Sequence, residues 1–119
     1  MKAINLKEKL SLFHEHWTPK VIASLDNNQV FLSKLKGDFI WHNHEGQDEL
    51  FLVVEGRFRM DFRDKQVWLE AGEMIVVPAG VDHKPFAENE CSVLVIESSE
   101  TKHTGGLDDP RRKDTHERI

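Results

Sequence analysis

The apolar positions change period as the chain is read from its start. In "INLKEKLSLFHEHW", Leu6, Leu10, Phe13 and Trp17 fall three or four residues apart, the spacing that lines one face of a helix. Residues 1–18 therefore read as a short amphipathic helical segment. After Pro19 the period falls to two. "KVIASL" and "VFLSKL" are β-type runs separated by the turn-forming "DNNQ", which predicts a hairpin. Then follow "FIWHNH", "ELFLVVEG", "RFRMDF", "QVWLEAG", "EMIVVPAG", "HKPF" and "SVLVIES", broken at Gly37, Gly46, Gly56, "RDK", Gly72, "PAG" and "AENE". Short strands with such regular turn signals predict an all-β sandwich or small barrel over residues 19–98. No helix is interleaved, which argues against a parallel α/β sheet. From Ser98 the apolar period is lost, and residues 99–119 carry five basic and five acidic side chains. This charged C-terminal tail reads as a surface-draped segment; the alternative is an arm that docks on a partner subunit.

Length and charge narrow the function classes. A chain of 119 residues suits one domain, large enough to bury a core without covalent staples. A net charge of -5 and a pI near 5.8 argue against nucleic acid or an anionic membrane as partner. No apolar run is long enough to span a bilayer. "MKAINLKEKL" contains acid and is followed by no apolar signal core, so a secretory leader is not expected. The single Cys91 fits a reducing cytoplasm, and its place before "SVLVIE" marks it as a packing residue.

The candidate chemistry lies in "WHNHEGQDELFLVVEG". On a strand, residues two apart face the same side with Cα atoms about 6.5–7 Å apart, so His42 and His44 can lean toward one ion. His14 and His16 have the same spacing on a helical pattern, where side chains two apart diverge by about 200°; these are assigned to the surface. Gly46 permits a reversal that brings Glu49 beside the histidine pair, although Glu45 and Asp48 are rival carboxylates. With Glu49 inward, alternation turns Phe51 and Val53 inward, and Phe58, Met60 and Phe62 on the next strand. Phe51, Phe58 and Met60 are thus expected to line an apolar pocket. In "GEMIVVPAGVDHKPF", a strand runs into the rigid Pro78–Gly80 turn, and His83 begins another inward strand. Imidazoles and a carboxylate buried without partners would be costly, and a metal offsets that cost. His42, His44, Glu49 and His83 would form an N3O set that leaves adjacent positions open on a six-coordinate ion.

These residues resemble the two motifs of the cupin superfamily. Gly37, His42, His44, Glu49 and Gly56 match the first, and Gly72, Pro78, Gly80 and His83 match the second. Two departures are visible. Four residues, not five, separate Gly37 from His42, and Ala87 stands where the family has asparagine. Neither touches the ligand set. The resemblance implies a double-stranded β-helix, the jelly-roll cupin barrel, with a metal in one mouth; the ligand set suits a divalent transition metal, Fe(II), Mn, Ni or Co better than a tetrahedral Zn. It also implies a homodimer, paired through sheets and often with an exchanged N-terminal segment. Small single-domain cupins are often labelled mannose-6-phosphate isomerase-like. Authentic cupin-type phosphomannose isomerases generally carry glutamine at the place of His42, which speaks against that label.

Three functions suit such a site. A metal with two adjacent free positions fits a dioxygenase acting on a small organic substrate. A sugar isomerase or epimerase would need a base as well as the metal, and no spare inward histidine is apparent, His103 and His116 lying in the tail. A non-catalytic small-molecule-binding cupin is the third. Trp41 beside Phe39 is expected to face outward, either as a dimer patch or under the N-terminal segment.

Overall fold

The computed structural model describes residues 1–101, 105–107, 109–110 and 115–119. Lys102, Asp108, Arg111, Arg112, Lys113 and Asp114 of the charged tail, together with His103, lie outside the described residues. One helix, α1 (Leu6–Leu10), precedes seven strands: β1 (Lys20–Leu25), β2 (Asn28–Asp38), β3 (Glu49–Glu55), β4 (Arg57–Phe62), β5 (Gln66–Glu70), β6 (Met74–Val77) and β7 (His83–Ser98). All named pairings between strands are antiparallel.

Two long strands form the spine. β2 and the 16-residue β7 pair along most of their length, from Asn28↔Ser98 to Asp38↔Phe86. On its other edge β7 serves two partners in turn. Its first half pairs with β4, which carries β5; its second half pairs with β3, which carries β6. The change of partner falls at residues 88–90, where Leu35↔Cys91 and Gly37↔Ala87 leave Lys36 alone opposite three residues. Extra residues on one strand bend it without ending it. The "AENE" stretch is therefore a bulge within one strand, not a break between two. The bend lets one spine support both wings of a barrel.

Alternation sets the interior. In β3, Glu49, Phe51 and Val53 are buried while Leu50, Leu52 and Val54 are half-exposed. Phe58, Met60, Leu69, Val77, Ala87, Cys91, Val93 and Val95 complete the same core. Burial pushes the Cys91 thiol up to about 12, so it packs as a small apolar group. Asp61 faces the opposite side from Met60 yet is buried, because it pairs with Arg59.

The N-terminal segment departs from the helical expectation. The Asn5 side chain caps α1 by accepting from Glu8 N at 2.9 Å, but the helix ends at Leu10, well before Trp17. Beyond it the chain finds partners on β2. His16 bridges to Lys34, and Trp17 N donates to the Lys34 carbonyl at 2.9 Å. The buried Lys34 ammonium in turn donates to the carbonyls of Leu10 (2.8 Å) and Phe13 (2.7 Å). Those carbonyls would otherwise be orphaned at a helix end. Leu10 and Phe13 cover Ile22 and Leu32 on the outer face of the sheet. His14 and His16 are on the surface, the latter 2.7 Å from Glu90.

The end of the tail docks on its own chain. Val21 N donates to the Glu117 carbonyl (2.8 Å), and Ile119 N to the Val21 carbonyl (3.1 Å). These bonds cover part of the free edge of β1, which would otherwise be open to other strands. Lys20, only 4% exposed, spans Glu15 and Glu117 at 2.8 and 2.9 Å.

The β3–β4 turn makes the bend possible. Gly56 has φ +84, and a Cβ there would lie 2.9 Å from the Glu90 carbonyl oxygen, inside the bulge. Gly72 has φ +86, but a Cβ there would meet nothing within 4 Å. Gly72→Ala is expected to cost about 1 kcal/mol from backbone strain alone, and Gly56→Ala up to about 3 kcal/mol. Urea midpoints compared at unchanged m-value check this difference.

Candidate metal centre

The segment between β2 and β3 is not the strand that "FIWHNH" suggests. Asn43, Gly46 and Asp48 favour turns, and residues 39–48 are irregular apart from a single antiparallel bridge, His42↔His83. That bridge decides the site. His42 N donates to the His83 carbonyl at 3.1 Å and His83 N returns to the His42 carbonyl at 2.9 Å. Two histidines forty-one positions apart are thereby placed opposite each other, with ring centroids 4.3 Å apart. Gly80 N donates to the His44 carbonyl at 3.0 Å, which ties the third histidine to the turn after Pro78. The His44 ring lies 5.0 Å from His42 and 5.7 Å from His83.

The rings are aimed as well as gathered. His42 Nδ1 donates to the Ile40 carbonyl (2.8 Å), and His83 Nδ1 to the Val81 carbonyl (2.9 Å). Each bond puts the proton on Nδ1 and leaves the Nε2 lone pair facing inward, the arrangement that metal-binding imidazoles use. Glu49, the first residue of β3, brings Oε1 to 3.5 Å from both His44 Nε2 and His83 Nε2, longer than usual hydrogen bonds. Glu45 and Asp48 are exposed, and Asp48 accepts from Ala79 N at 2.9 Å.

The donor set fits a cation. Ligand atoms of His42, His44 and His83 lie within 4.8 Å of one another, and so do those of His44, Glu49 and Glu97. All five residues are buried. Both nitrogens of His44, Oε1 of Glu49 and Nε2 of His83 are buried without a hydrogen-bond partner. Such groups cost free energy unless something satisfies them, and one ion would satisfy the inward-facing atoms together.

Glu97 is the residue that the sequence reading passed over. It lies opposite Glu49 in the β3–β7 register, and Val95 and Val93, two and four positions earlier, share its inward phase. That alternation could have found it. Burial raises Glu97 well above the usual carboxylic range, reinforced by the neighbouring Glu49 charge and their mutual hydrogen bond. Burial would raise Glu49 too, but the bond from Glu97 and the facing His44 and His83 outweigh it and hold Glu49 ionised. Of the two, Glu97 is the carboxyl pushed toward its protonated form.

An apolar cavity of about 50 Å³ opens beside His42, Glu49 and Glu97. Trp17, Phe31, Phe39 and Phe51 supply its aromatic walls and Ser33 a hydroxyl. Phe51 is thus beside the cluster, whereas Phe58 and Met60 are fully buried in the barrel core and do not line this cavity. Phe39 is buried under Trp17, their rings stacked at 4.9 Å. Trp41 is half-buried, with the Arg63 guanidinium 3.9 Å above its ring.

A cupin domain profile matches residues 31–97. A crystal structure of a cupin-2 domain containing protein from Shewanella frigidimarina shares 48% identity, covering 80% of this chain and 93% of that one, with a TM-score of 0.79. Protein NMB1881 from Neisseria meningitidis shares 41%, covering 82% of this chain and all (100%) of its own, with a TM-score of 0.75. Among curated proteins, YdbB of Bacillus subtilis is 36% identical over 64 residues, 53% of this chain and 57% of its own length. Acireductone dioxygenase 1 of Vitis vinifera is 39% identical over 56 residues, 43% of this chain and 29% of its own. The chain thus spans less than two thirds of these curated relatives.

Burial, then the neighbouring His83, depresses His42 to about 4, against about 6.5 in an unfolded chain. Between those values the unfolded metal-free protein binds a proton that the folded one does not, so stability rises with pH. It is lost as pH falls from about 6.5 toward 4, with a slope from this group approaching about 1.4 kcal/mol per pH unit. Urea unfolding of metal-free protein across this window, with His42→Gln as the variant expected to lose that slope, measures the effect.

Proposed function

The chain belongs to the cupin family, and from that premise we propose that it is a metal-dependent dioxygenase acting on a small organic substrate. The observation that carries this reading is the set of inward-facing, otherwise unsatisfied donor atoms beside an apolar cavity. His42, His44, Glu49 and His83 would hold the ion, and Fe(II), Mn, Ni, Co and Zn all accept imidazole and carboxylate donors. When bound, a redox-active metal supplies the electrons and Lewis acidity that dioxygen chemistry needs. The protein's part is to bind, orient and exclude. The Ile40 and Val81 carbonyls hold two imidazoles in the tautomer that presents Nε2, and the aromatic walls keep the cavity poor in water. The local likeness to acireductone dioxygenase adds support from a relative named for such chemistry.

Glu97 gives the isomerase or epimerase reading a basis that the sequence lacked. It sets a second carboxyl on the cavity wall, where a group is needed to hold or move a proton at the substrate. The two readings separate cleanly. A dioxygenase consumes oxygen and is silent under nitrogen, whereas an isomerase turns over equally without oxygen and exchanges substrate protons with deuterated water. The local sequence likeness to acireductone dioxygenase favours the first. A non-catalytic binder would show tight ligand binding and neither signal.

Metal analysis tests the premise directly. About one equivalent of divalent metal is expected after reconstitution, and His42→Ala or His83→Ala is expected to weaken binding by more than about 100-fold. Retention of less than about a tenth of an equivalent by the unaltered protein would refute the metal centre.

We also propose that the protein works as a homodimer in the cytoplasm. The outer face of β3, β6 and β7 carries Leu50, Leu52, Met74, Val76 and Ile96 in cross-strand register, with Met74 58% and Val76 48% exposed. A continuous apolar face of this kind marks a contact surface, and a two-fold partner would bury it against itself. The Trp41–Phe39 pair does not offer such a patch, because Phe39 is under Trp17. Sedimentation at micromolar concentration is expected to show a dimer, and Val76→Glu a monomer.

A further inference from the structure

Trp17 stands in the left-handed region at φ 56, a conformation that is a genuine outlier for a bulky side chain. Three ties keep it there. Its backbone N–H donates to the Lys34 carbonyl at 2.9 Å, its indole Nε1 donates to the Lys36 carbonyl at 2.9 Å, and its ring stacks on Phe39. Strain held this firmly concentrates where a side chain must be placed for function. The place is the wall of the cavity beside His42 and Glu49, and Pro19 extends the same wall. The N-terminal arm therefore contributes to a cavity whose other walls belong to the barrel.

The cavity's size and lining define what can enter it. One water needs about 10–15 Å³ on this measure, and a cavity of about 150 Å³ is what admits benzene. About 50 Å³ is a third of the benzene-sized space and leaves room for roughly three to five water-sized groups. No lysine or arginine among the described residues lines it, while Glu49 and Glu97 both do. Away from the metal ligands, a phosphate would meet aromatic walls and Glu97 with no lysine or arginine to pair with it. A polyol would leave hydroxyls unpaired against Phe31, Phe39 and Trp17. A short aliphatic chain meets neither obstacle, provided its oxygens collect at the His42–Glu49 end.

Building on the metal-centre reading above, we infer that Trp17 is the specificity-determining residue of this cavity, limiting the substrate to a short, uncharged aliphatic carbonyl or hydroxyl compound. The indole closes the space that a longer or ring-bearing substrate would occupy. Trp17 acts through shape alone and has no part in the chemistry at the metal.

The test uses the full chain loaded with cobalt(II), whose visible absorption reports a ligand entering its coordination sphere. Hydroxyacetone, 2-hydroxyacetophenone and dihydroxyacetone phosphate share one hydroxyketone head and differ in bulk or charge. With the unaltered protein, hydroxyacetone is expected to shift the spectrum, and the phenyl and phosphate compounds to bind at least about tenfold more weakly. Trp17→Ala and Trp17→Leu are expected to gain the phenyl compound by about tenfold or more and to continue to reject the phosphate. Equal response of the unaltered protein to all three, no response to hydroxyacetone, or an unchanged size limit in folded Trp17 variants would each overturn the inference. Should both variants misfold, the graded series on the unaltered protein still decides the size and charge limits. Failure of the protein to take up cobalt would instead refute the metal centre.

Discussion

The site depends on one reciprocal pair of backbone hydrogen bonds, those between His42 and His83. With Phe39 N donating to the Pro85 carbonyl and Gly80 N to the His44 carbonyl, each at 3.0 Å, they fix the irregular crossing from β2 to β3 against β7 and bring the three imidazoles together. The bridge sets the distance, while the Ile40 and Val81 carbonyls set the direction, each by taking the Nδ1 proton. Both devices use the main chain, so neither depends on a further side chain that could rotate away. The result is a cluster of imidazoles and a carboxylate whose inward atoms are unsatisfied. In a folded protein such a cluster is unfavourable in isolation and favourable around a cation.

The spine explains why the carboxylates come as a pair. β7 holds Glu97 opposite Glu49 because its second half pairs with β3, and it holds His83 at the same end of the barrel because its first half pairs with β4. One strand can do both only if it bends, and the three-for-one bulge at residues 88–90 supplies the bend. Gly56 is the counterpart on the facing turn, where the Glu90 carbonyl leaves no space for a side chain. The carboxyl pair on the cavity wall is equally a consequence of register, since a slip of one residue would turn Glu49 and Glu97 to the outside.

The N-terminal segment links fold and selectivity. Its helix is too short to be stable alone, and it persists because Leu10 and Phe13 pack on β1 and β2 while Lys34 takes their carbonyls. That docking delivers Trp17 to the cavity from outside the barrel. The arm reaches the metal ligands only through Phe39, whose ring stacks on Trp17 and meets His42 edge-on at 5.4 Å.

The sequence alone determined the period-two strands, their turns, and the histidine and carboxylate types and spacing of the two motifs, because all of these are local. His42, His44, Glu49 and His83 stood out for that reason, and Phe51 followed by alternation. Glu97 is equally in phase with Val93 and Val95, but it ends an apolar run and belongs to neither motif, so nothing local marks it as a site residue. The short helix, the unbroken β7 and the wall built by Trp17 could not be read in this way. Each depends on which carbonyl or ring lies nearby in space: Lys34 for the helix end, Lys36 opposite the bulge, Phe39 beneath the indole. Those partners are brought together by tertiary pairing, and a one-dimensional pattern records only which way a side chain points, not what it meets.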